Sequence, residues 1–184
     1  MTACVFGVTG RMGTGKSHAV RTLAGYFERD GNKLTAIRVD DIRRNILQHA
    51  EEHAALRRDI AKRFGLAVSG AGDALNLMEV AQAVFATPEN MQDFQALVGG
   101  SIFSAVEKSI AAAPEYAAVE WARLAEDGFL PLVHHRVVLM TCGEEALQDA
   151  IERLDIRLGC SQSYRNALPR RQADVIAPFL RHLG

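Results

Sequence analysis

A lysine followed directly by a serine stands near the start of this 184-residue chain, behind a glycine-rich run. The segment from Gly10 to Ser17, GRMGTGKS, fits the pattern G-x-x-x-x-G-K-[ST]. Glycines allow positive φ angles, so several backbone N–H groups can surround an anion. Lys16 adds a point charge for the β- and γ-phosphates, and Ser17 offers its hydroxyl to Mg²⁺. The pattern predicts a nucleoside triphosphate site lined by Gly10, Arg11, Met12, Gly13, Thr14, Gly15, Lys16, Ser17 and His18.

The segments on either side of this motif have the periodicity that a phosphate-binding loop requires. Residues 3–8 are short and apolar and predict a strand, while residues 16–29 repeat apolar side chains with a helical period. Further strands are predicted at 34–39, 116–121, 136–140 and 173–177. Strands that alternate with helices predict an α/β fold, here a P-loop NTPase-type three-layer sandwich with a mainly parallel five-stranded sheet.

The chain shows no linker, repeat or low-complexity run, which predicts one P-loop domain over residues 1–184. Residues 42–113 read as a mostly helical, substrate-binding insert with breaks at 64–73 and at Thr87-Pro88. Pro88 behind Thr87 predicts the start of a helix, and Gly99-Gly100 could kink or split that helix. The arginine-rich stretch 153–171 is predicted to form a lid.

Acidic residues follow two of the predicted strands, where parallel α/β sheets collect their active groups. Asp40 ends the second strand, and its carboxylate could accept a hydroxyl proton and orient the oxygen for in-line attack. The alternative is that Asp40 or Asp41 only caps the next helix. Glu120 ends the third strand and is predicted to join Ser17 as a magnesium ligand. Glu126 follows six residues later, and for this residue a functional role and a solvated loop acid are equally good interpretations.

Phosphoryl transfer also needs positive charge on the moving group and on the leaving group. Among the arginines after the fourth strand, Arg153 is the predicted catalytic one and Arg157 is a second candidate, whereas the others fit a solvated helix face. His49 and His53 are spaced i, i+4 but lack a third ligand, which favours a surface helix over a zinc site. Trp121 could stack on an adenine ring, although a core contact is the commoner fate.

The composition narrows the classes of partner. A formal net charge of −1 gives no electrostatic reason to expect nucleic acid or a membrane surface, and no apolar run approaches the length of a membrane span. The start, MTACVFGVTG, predicts a buried strand and not a signal peptide. Cys4, Cys142 and Cys160 are too far apart for a disulfide framework, so a reducing cytoplasm is the expected location. The oligomeric state stays open.

The order of these motifs resembles the dephospho-coenzyme A kinase family over most of the chain. GVTGRMGTGKS stands where the family has GLTGGIGSGKS, and Val39-Asp40-Asp41-Ile42 stands where the family has a strand ending in alanine-aspartate. Weaker matches follow in order at Phe64-Gly65, 72–77, Val84-Phe85, 120–126 and 173–176. The resemblance implies a P-loop kinase that uses ATP and Mg²⁺, with Asp40 as the base for the ribose 3′-hydroxyl of dephospho-CoA and Arg153 as the lid arginine.

The chain departs from the family at Leu77 for an arginine, at Gly99-Gly100 for a histidine-proline pair, at Ala122-Arg123-Leu124 for proline-leucine-leucine, and at His18 for a threonine. Several of these positions belong to the acceptor pocket and not to ATP binding. The resemblance still implies an ATP-dependent phosphotransferase that acts on the 3′-hydroxyl of dephospho-CoA. It leaves open a nucleoside or nucleotide kinase with another small acceptor, and a nucleotide-binding protein without catalysis. A GTPase is disfavoured because the chain has no N-K-x-D motif.

Overall fold

The computed structural model of the protein describes residues 3–70, 72–143 and 145. Its strands are β1 (Cys4–Thr9), β2 (Leu34–Arg38), β3 (Val68–Ser69), β4 (Ala74–Leu75), β5 (Tyr116–Glu120) and β6 (Val137–Leu139). Its α-helices are α1 (Lys16–Arg29), α2 (Val39–Gln48), α3 (Ala54–Phe64), α4 (Leu77–Val84) and α5 (Pro88–Ala111). The chain divides into two compact units, of which the second is Val39–Val106 and the first comprises the segments before and after it.

The first unit contains a parallel sheet with the strand order β2-β5-β1-β6. The register pairs Glu120 with Val8 of β1 on one side and with Arg38 of β2 on the other, so the carboxyl ends of these strands meet at one edge. The α/β class and the parallel sheet predicted from the sequence are confirmed, with strands at four of the predicted places. The fifth predicted strand, 173–177, lies outside the described residues.

The central strands of this sheet are largely apolar up to their last residues, Thr9 and Glu120, because they are covered on both faces. Val5 and Val8 of β1 are completely buried, and Val20 of α1 packs against Val8. Phe27 of the same helix meets the ring of Tyr116 edge-on, with the centroids 4.8 Å apart. Each buried aliphatic side chain of this kind stabilises the fold by about 1.5–3 kcal/mol. This packing fixes α1, and with it the loop that precedes α1, against the sheet.

The second unit combines α2, α3 and α4 with the antiparallel hairpin β3-β4 and the first part of α5. Arg57 of α3 is completely buried and donates hydrogen bonds to the carbonyl oxygens of Ile46, Ala50 and Gly72 at 2.6, 2.7 and 2.9 Å. One guanidinium thereby joins the end of α2, α3 and the hairpin loop. The insert predicted over 42–113 overlaps this unit, and its standing as a subdomain of a single domain stays a prediction.

The helix α5 begins where Pro88 predicts it, and the Thr87 hydroxyl oxygen accepts a hydrogen bond from the Asn90 N–H at 3.1 Å. It continues through Gly99-Gly100 to Ala111, so the suggestion that these glycines split the helix was wrong. The reason is tertiary packing, because a buried apolar residue recurs at every fourth position of α5, as Phe94, Val98, Ile102 and Val106. None of the described helices has both the length and the apolar character needed to cross a bilayer.

Candidate active site

The loop between β1 and α1 takes the conformation that its glycines allow. Gly10 has φ +139°, and a Cβ built there would overlap the carbonyl oxygen of Met140. Gly15 has φ +84° in the left-handed region and stands immediately before Lys16, the first residue of α1. The unbonded N–H groups of the first turn of a helix favour anions. The backbone is therefore arranged as a phosphate-binding loop at the carboxyl end of β1.

Lys16 is buried within this loop. Its Nζ donates hydrogen bonds to the carbonyl oxygens of Gly10 at 2.9 Å and Arg11 at 2.8 Å. The hydroxyl of Thr14 donates to the same Arg11 carbonyl oxygen at 2.8 Å, which closes the turn of the loop. The ammonium group is thus held inside the loop, beside the backbone N–H groups that would meet a phosphate. His18, by contrast, is exposed in the first turn of α1.

Ser17 and Glu120 lie together at the same edge of the sheet. The Ser17 hydroxyl donates a short hydrogen bond to Glu120 Oε1. The Glu120 side chain is only 10% exposed, and its second oxygen, Oε2, accepts no hydrogen bond from the described residues. Arg38 Nε lies 3.4 Å from that oxygen, an ion-pair contact without the geometry of a hydrogen bond. A cation that binds a buried carboxylate oxygen without a hydrogen-bond donor stabilises it.

The pair formed by Ser17 and Glu120 fits a magnesium ion. A hydroxyl and a carboxylate are oxygen ligands of the kind that Mg²⁺ prefers, and Glu120 Oε2 is a buried oxygen that lacks a hydrogen-bond donor. No group of three or more His, Cys, Asp or Glu side chains suited to hold a metal is present among the described residues. That agrees with the usual binding of Mg²⁺ through one or two protein ligands together with substrate phosphates and water.

A short loop continues from Glu120 and is fixed by one carboxylate that the sequence analysis did not single out. Asp127 Oδ2 accepts a hydrogen bond from Trp121 Nε1 at 2.8 Å, and Asp127 Oδ1 accepts one from Arg123 Nε at 3.1 Å. Trp121 is buried and packs edge-on against Phe129. The structure therefore gives the tryptophan the core position that was its commoner expected fate.

Glu126 belongs to the same loop and is half-buried. Burial raises the pKa of its carboxyl group above the ordinary value of 4.5, and the nearby Arg123 opposes that shift in pKa in part. The carboxyl group of Glu126 is thus less solvated than a typical loop acid.

Asp40 lies in the second unit. Because β2 ends at Arg38 and α2 begins at Val39, Asp40 and Asp41 occupy the first turn of the helix; the prediction that Asp40 ends the strand was wrong. The Asp40 side chain is 59% exposed, and its Oδ1 lies 2.7 Å from Nη2 of Arg43. Lys16, Ser17 and Glu120 come together in the first unit, whereas Arg153 and Arg157 lie outside the described residues.

The site consists of a glycine loop between a buried parallel strand and a helix. The loop carries a buried lysine, and the serine after it is hydrogen-bonded to a glutamate on the neighbouring strand. These features define a P-loop nucleotide-binding protein. The family model for dephospho-CoA kinase matches residues 4–175. The chain therefore belongs to the dephospho-CoA kinase family, which confirms the resemblance found in the sequence. Membership in this family supports the interpretation of the protein as a P-loop kinase of coenzyme A synthesis.

Solved structures support the fold. The crystal structure of TT1252 from Thermus thermophilus is similar to this chain with a TM-score of 0.64 and 22% sequence identity, over 94% of this chain and 81% of the other. At that identity the similarity speaks for the architecture alone. No curated protein matches the chain.

Proposed function

We propose that this protein transfers the γ-phosphoryl group of ATP to the ribose 3′-hydroxyl of dephospho-CoA, which yields CoA and ADP. A bond forms between the 3′ oxygen and the γ-phosphorus, the bridging bond to the β-phosphate breaks, and the hydroxyl proton leaves to a base. The observation that carries the proposal is the group of Lys16, Ser17 and Glu120 beside the glycine loop, in which Lys16 and Glu120 are buried. Family membership supports the choice of acceptor.

The donor half of the reaction rests on positioning and charge. Lys16 is held by two carbonyl oxygens of its own loop, so its positive charge is in place before nucleotide arrives. Such preorganised charge stabilises the negative charge that spreads over the transferring phosphoryl oxygens. Mg²⁺, when bound, neutralises part of the charge on the β- and γ-phosphates. Ser17 and Glu120 are the residues that would hold it.

The acceptor half follows the family pattern. Asp40 would accept the proton of the 3′-hydroxyl, and its carboxylate contacts Arg43 one turn further along α2. Arg153 would cover the phosphates as part of a lid over 153–171. In this proposal the second unit carries the acceptor and the whole chain acts as one kinase domain. The cytoplasmic location expected from the cysteine pattern stays a prediction.

One observation favours a second candidate, a kinase with a different small acceptor. Leu77 stands where the family has an arginine, and it opens α4 directly behind Asn76, whose Oδ1 caps that helix by accepting from the Met78 N–H at 3.0 Å. An apolar side chain at this position cannot pair with a phosphate of the acceptor. A nucleoside or another nucleotide would then replace dephospho-CoA.

An ADP-release assay separates these functions. The purified protein would be mixed with ATP, Mg²⁺ and, one at a time, dephospho-CoA, nucleosides and nucleotides. Turnover with dephospho-CoA alone supports the first proposal, and turnover only with another acceptor supports the second. Binding of ATP without turnover on any acceptor would contradict both and leave a nucleotide-binding protein without catalysis.

A further inference from the structure

Arg38 contacts the same carboxylate that would bind the metal. It is the last residue of β2, and the parallel register places it directly beside Glu120 of β5. Its Nε lies 3.4 Å from Glu120 Oε2, while Ser17 bonds the other oxygen, Oε1. The Arg38 side chain is 44% exposed and the Glu120 side chain is 10% exposed, so the arginine approaches the buried carboxylate from the solvent side. Glu120 Oε2 is thus the oxygen that both Arg38 and a bound metal ion would contact.

The guanidinium of Arg38 and a divalent cation would compete for contact with Glu120 Oε2. Arginine keeps its charge at any physiological pH, so Arg38 already compensates the carboxylate when no nucleotide is present. A divalent ion would then have to displace that cation and would be repelled by it. A bound triphosphate changes the balance, because its oxygens supply both further metal ligands and negative charge for the guanidinium.

We propose that Arg38 makes divalent-cation binding at Ser17 and Glu120 depend on bound nucleotide. It is a positioning residue, which acts through Glu120 and not on the reacting atoms. Without nucleotide it occupies the approach to Glu120 Oε2 and weakens metal binding; with nucleotide it yields that oxygen to the metal. The inference rests on the proposed metal site and is independent of which acceptor the protein phosphorylates.

The test measures Mn²⁺ binding directly, through the loss of the electron paramagnetic resonance signal of the free ion. Mn²⁺ takes the same oxygen ligands as Mg²⁺. The full chain would be compared with Arg38→Met, which removes the charge, and Arg38→Lys, which retains it. Arg29→Met is the matched control, because Arg29 is an exposed arginine at the end of α1 that lies over the Tyr26 ring. Each protein is titrated alone and with a saturating non-hydrolysable ATP analogue.

We expect Arg38→Met to bind Mn²⁺ about tenfold more tightly than the wild type without nucleotide, because a like charge about 4 Å from a partly exposed site shifts binding on that scale. The difference should shrink when the ATP analogue is present. Arg38→Lys should remain close to the wild type, and so should Arg29→Met. Adding Glu120→Gln to Arg38→Met should abolish the gain in affinity.

Three results would overturn the inference. They are equal Mn²⁺ affinity of Arg38→Met and the wild type, an equal gain in Arg29→Met, and a gain that survives Glu120→Gln. If Arg38→Met fails to fold, as thermal melting would show, Arg38→Gln tests the same loss of charge with a polar side chain. The assay is separate from the proposed function, because dephospho-CoA turnover can fail while the Mn²⁺ gain is seen, and the reverse.

Discussion

The two carboxylates proposed to act in phosphoryl transfer are held in different ways. Glu120 is buried, and its partner Ser17 is 103 residues away in the sequence, so the fold itself brings them together. Asp40 is exposed, and its partner Arg43 lies three residues along the same helix. The donor site is therefore built by tertiary structure, whereas the ion pair of Asp40 is a local contact within α2. Substitutions in the donor site should affect both folding and nucleotide binding, whereas substitution of Asp40 should affect turnover alone.

The largest expected effect is that of Lys16→Ala, which removes the buried charge of the donor site. Turnover should fall by about 10²–10³-fold or more, because the variant loses the preorganised positive charge that stabilises the phosphates. Steady-state ADP formation measures it, and a melting curve checks the fold. Lys33→Ala, at an exposed lysine just before β2, is the control and should leave turnover near the wild type. Near-normal turnover of Lys16→Ala would remove this lysine from the phosphate site.

Asp40→Asn tests the other region. If Asp40 is the base, turnover should fall by about 10²-fold while the KM for ATP and the melting temperature stay close to the wild type. Asp41→Asn is a close control, because Asp41 occupies the same helical turn and pairs with Arg44 at 3.5 Å. It should change turnover by no more than about twofold, as expected for an exposed ion pair. Equal loss in the two variants would contradict the role of Asp40.

Gly10→Ala tests whether the donor loop is held by the fold. The new methyl group would overlap the Met140 carbonyl oxygen at a φ of +139°, so the free energy of unfolding should fall by about 1–3 kcal/mol. Gly25→Ala is the matched change in open space within α1 and should be neutral or stabilise by about 0.5–1 kcal/mol. Urea unfolding compares them. Equal stability of Gly10→Ala and the wild type would show that the loop adapts freely.

The smallest effect concerns the loop behind Glu120. Because burial raises the pKa of Glu126, the folded state favours the protonated carboxyl group. The stability linked to that form is fully present below the ordinary value of 4.5 and is lost as the pH rises through the higher folded value. Glu126→Gln should therefore be more stable than the wild type at neutral pH, by at most about 1 kcal/mol, and should lose that advantage in acid. An advantage that grows in acid would contradict this assignment.

The sequence predicted best what is encoded in neighbouring residues. The glycines and lysine of the loop form one contiguous motif, and α1 covers the range that its apolar period gave, 16–29. Parallel strands followed from the alternation of short apolar runs with helices. The sequence suggested that Gly99-Gly100 could kink or split the helix; the split does not occur, because burial along one face of α5 outweighs a helix propensity loss of about 1 kcal/mol per glycine.

The sequence could not show contacts that depend on which strands are neighbours. Arg38 meets Glu120 only because β2 lies beside β5, and no local pattern gives that order. Asp127 was missed for a different reason: its partners Trp121 and Arg123 lie within six residues of it, but these hydrogen bonds depend on how the loop folds and not on a periodic pattern. Arg57 reads as one more helix-surface arginine, although its partners are backbone carbonyl groups, which carry no sequence signature.

The most direct test of the account follows the phosphorus atoms. The protein, ATP, Mg²⁺ and dephospho-CoA are mixed, and the products are observed by phosphorus NMR. We predict a new phosphomonoester signal coupled to the ribose 3′ proton, growing at the rate at which the γ-phosphate of ATP disappears, while the pyrophosphate of dephospho-CoA is unchanged. A spectrum in which ATP binds but no 3′ phosphomonoester forms would contradict the proposed transfer.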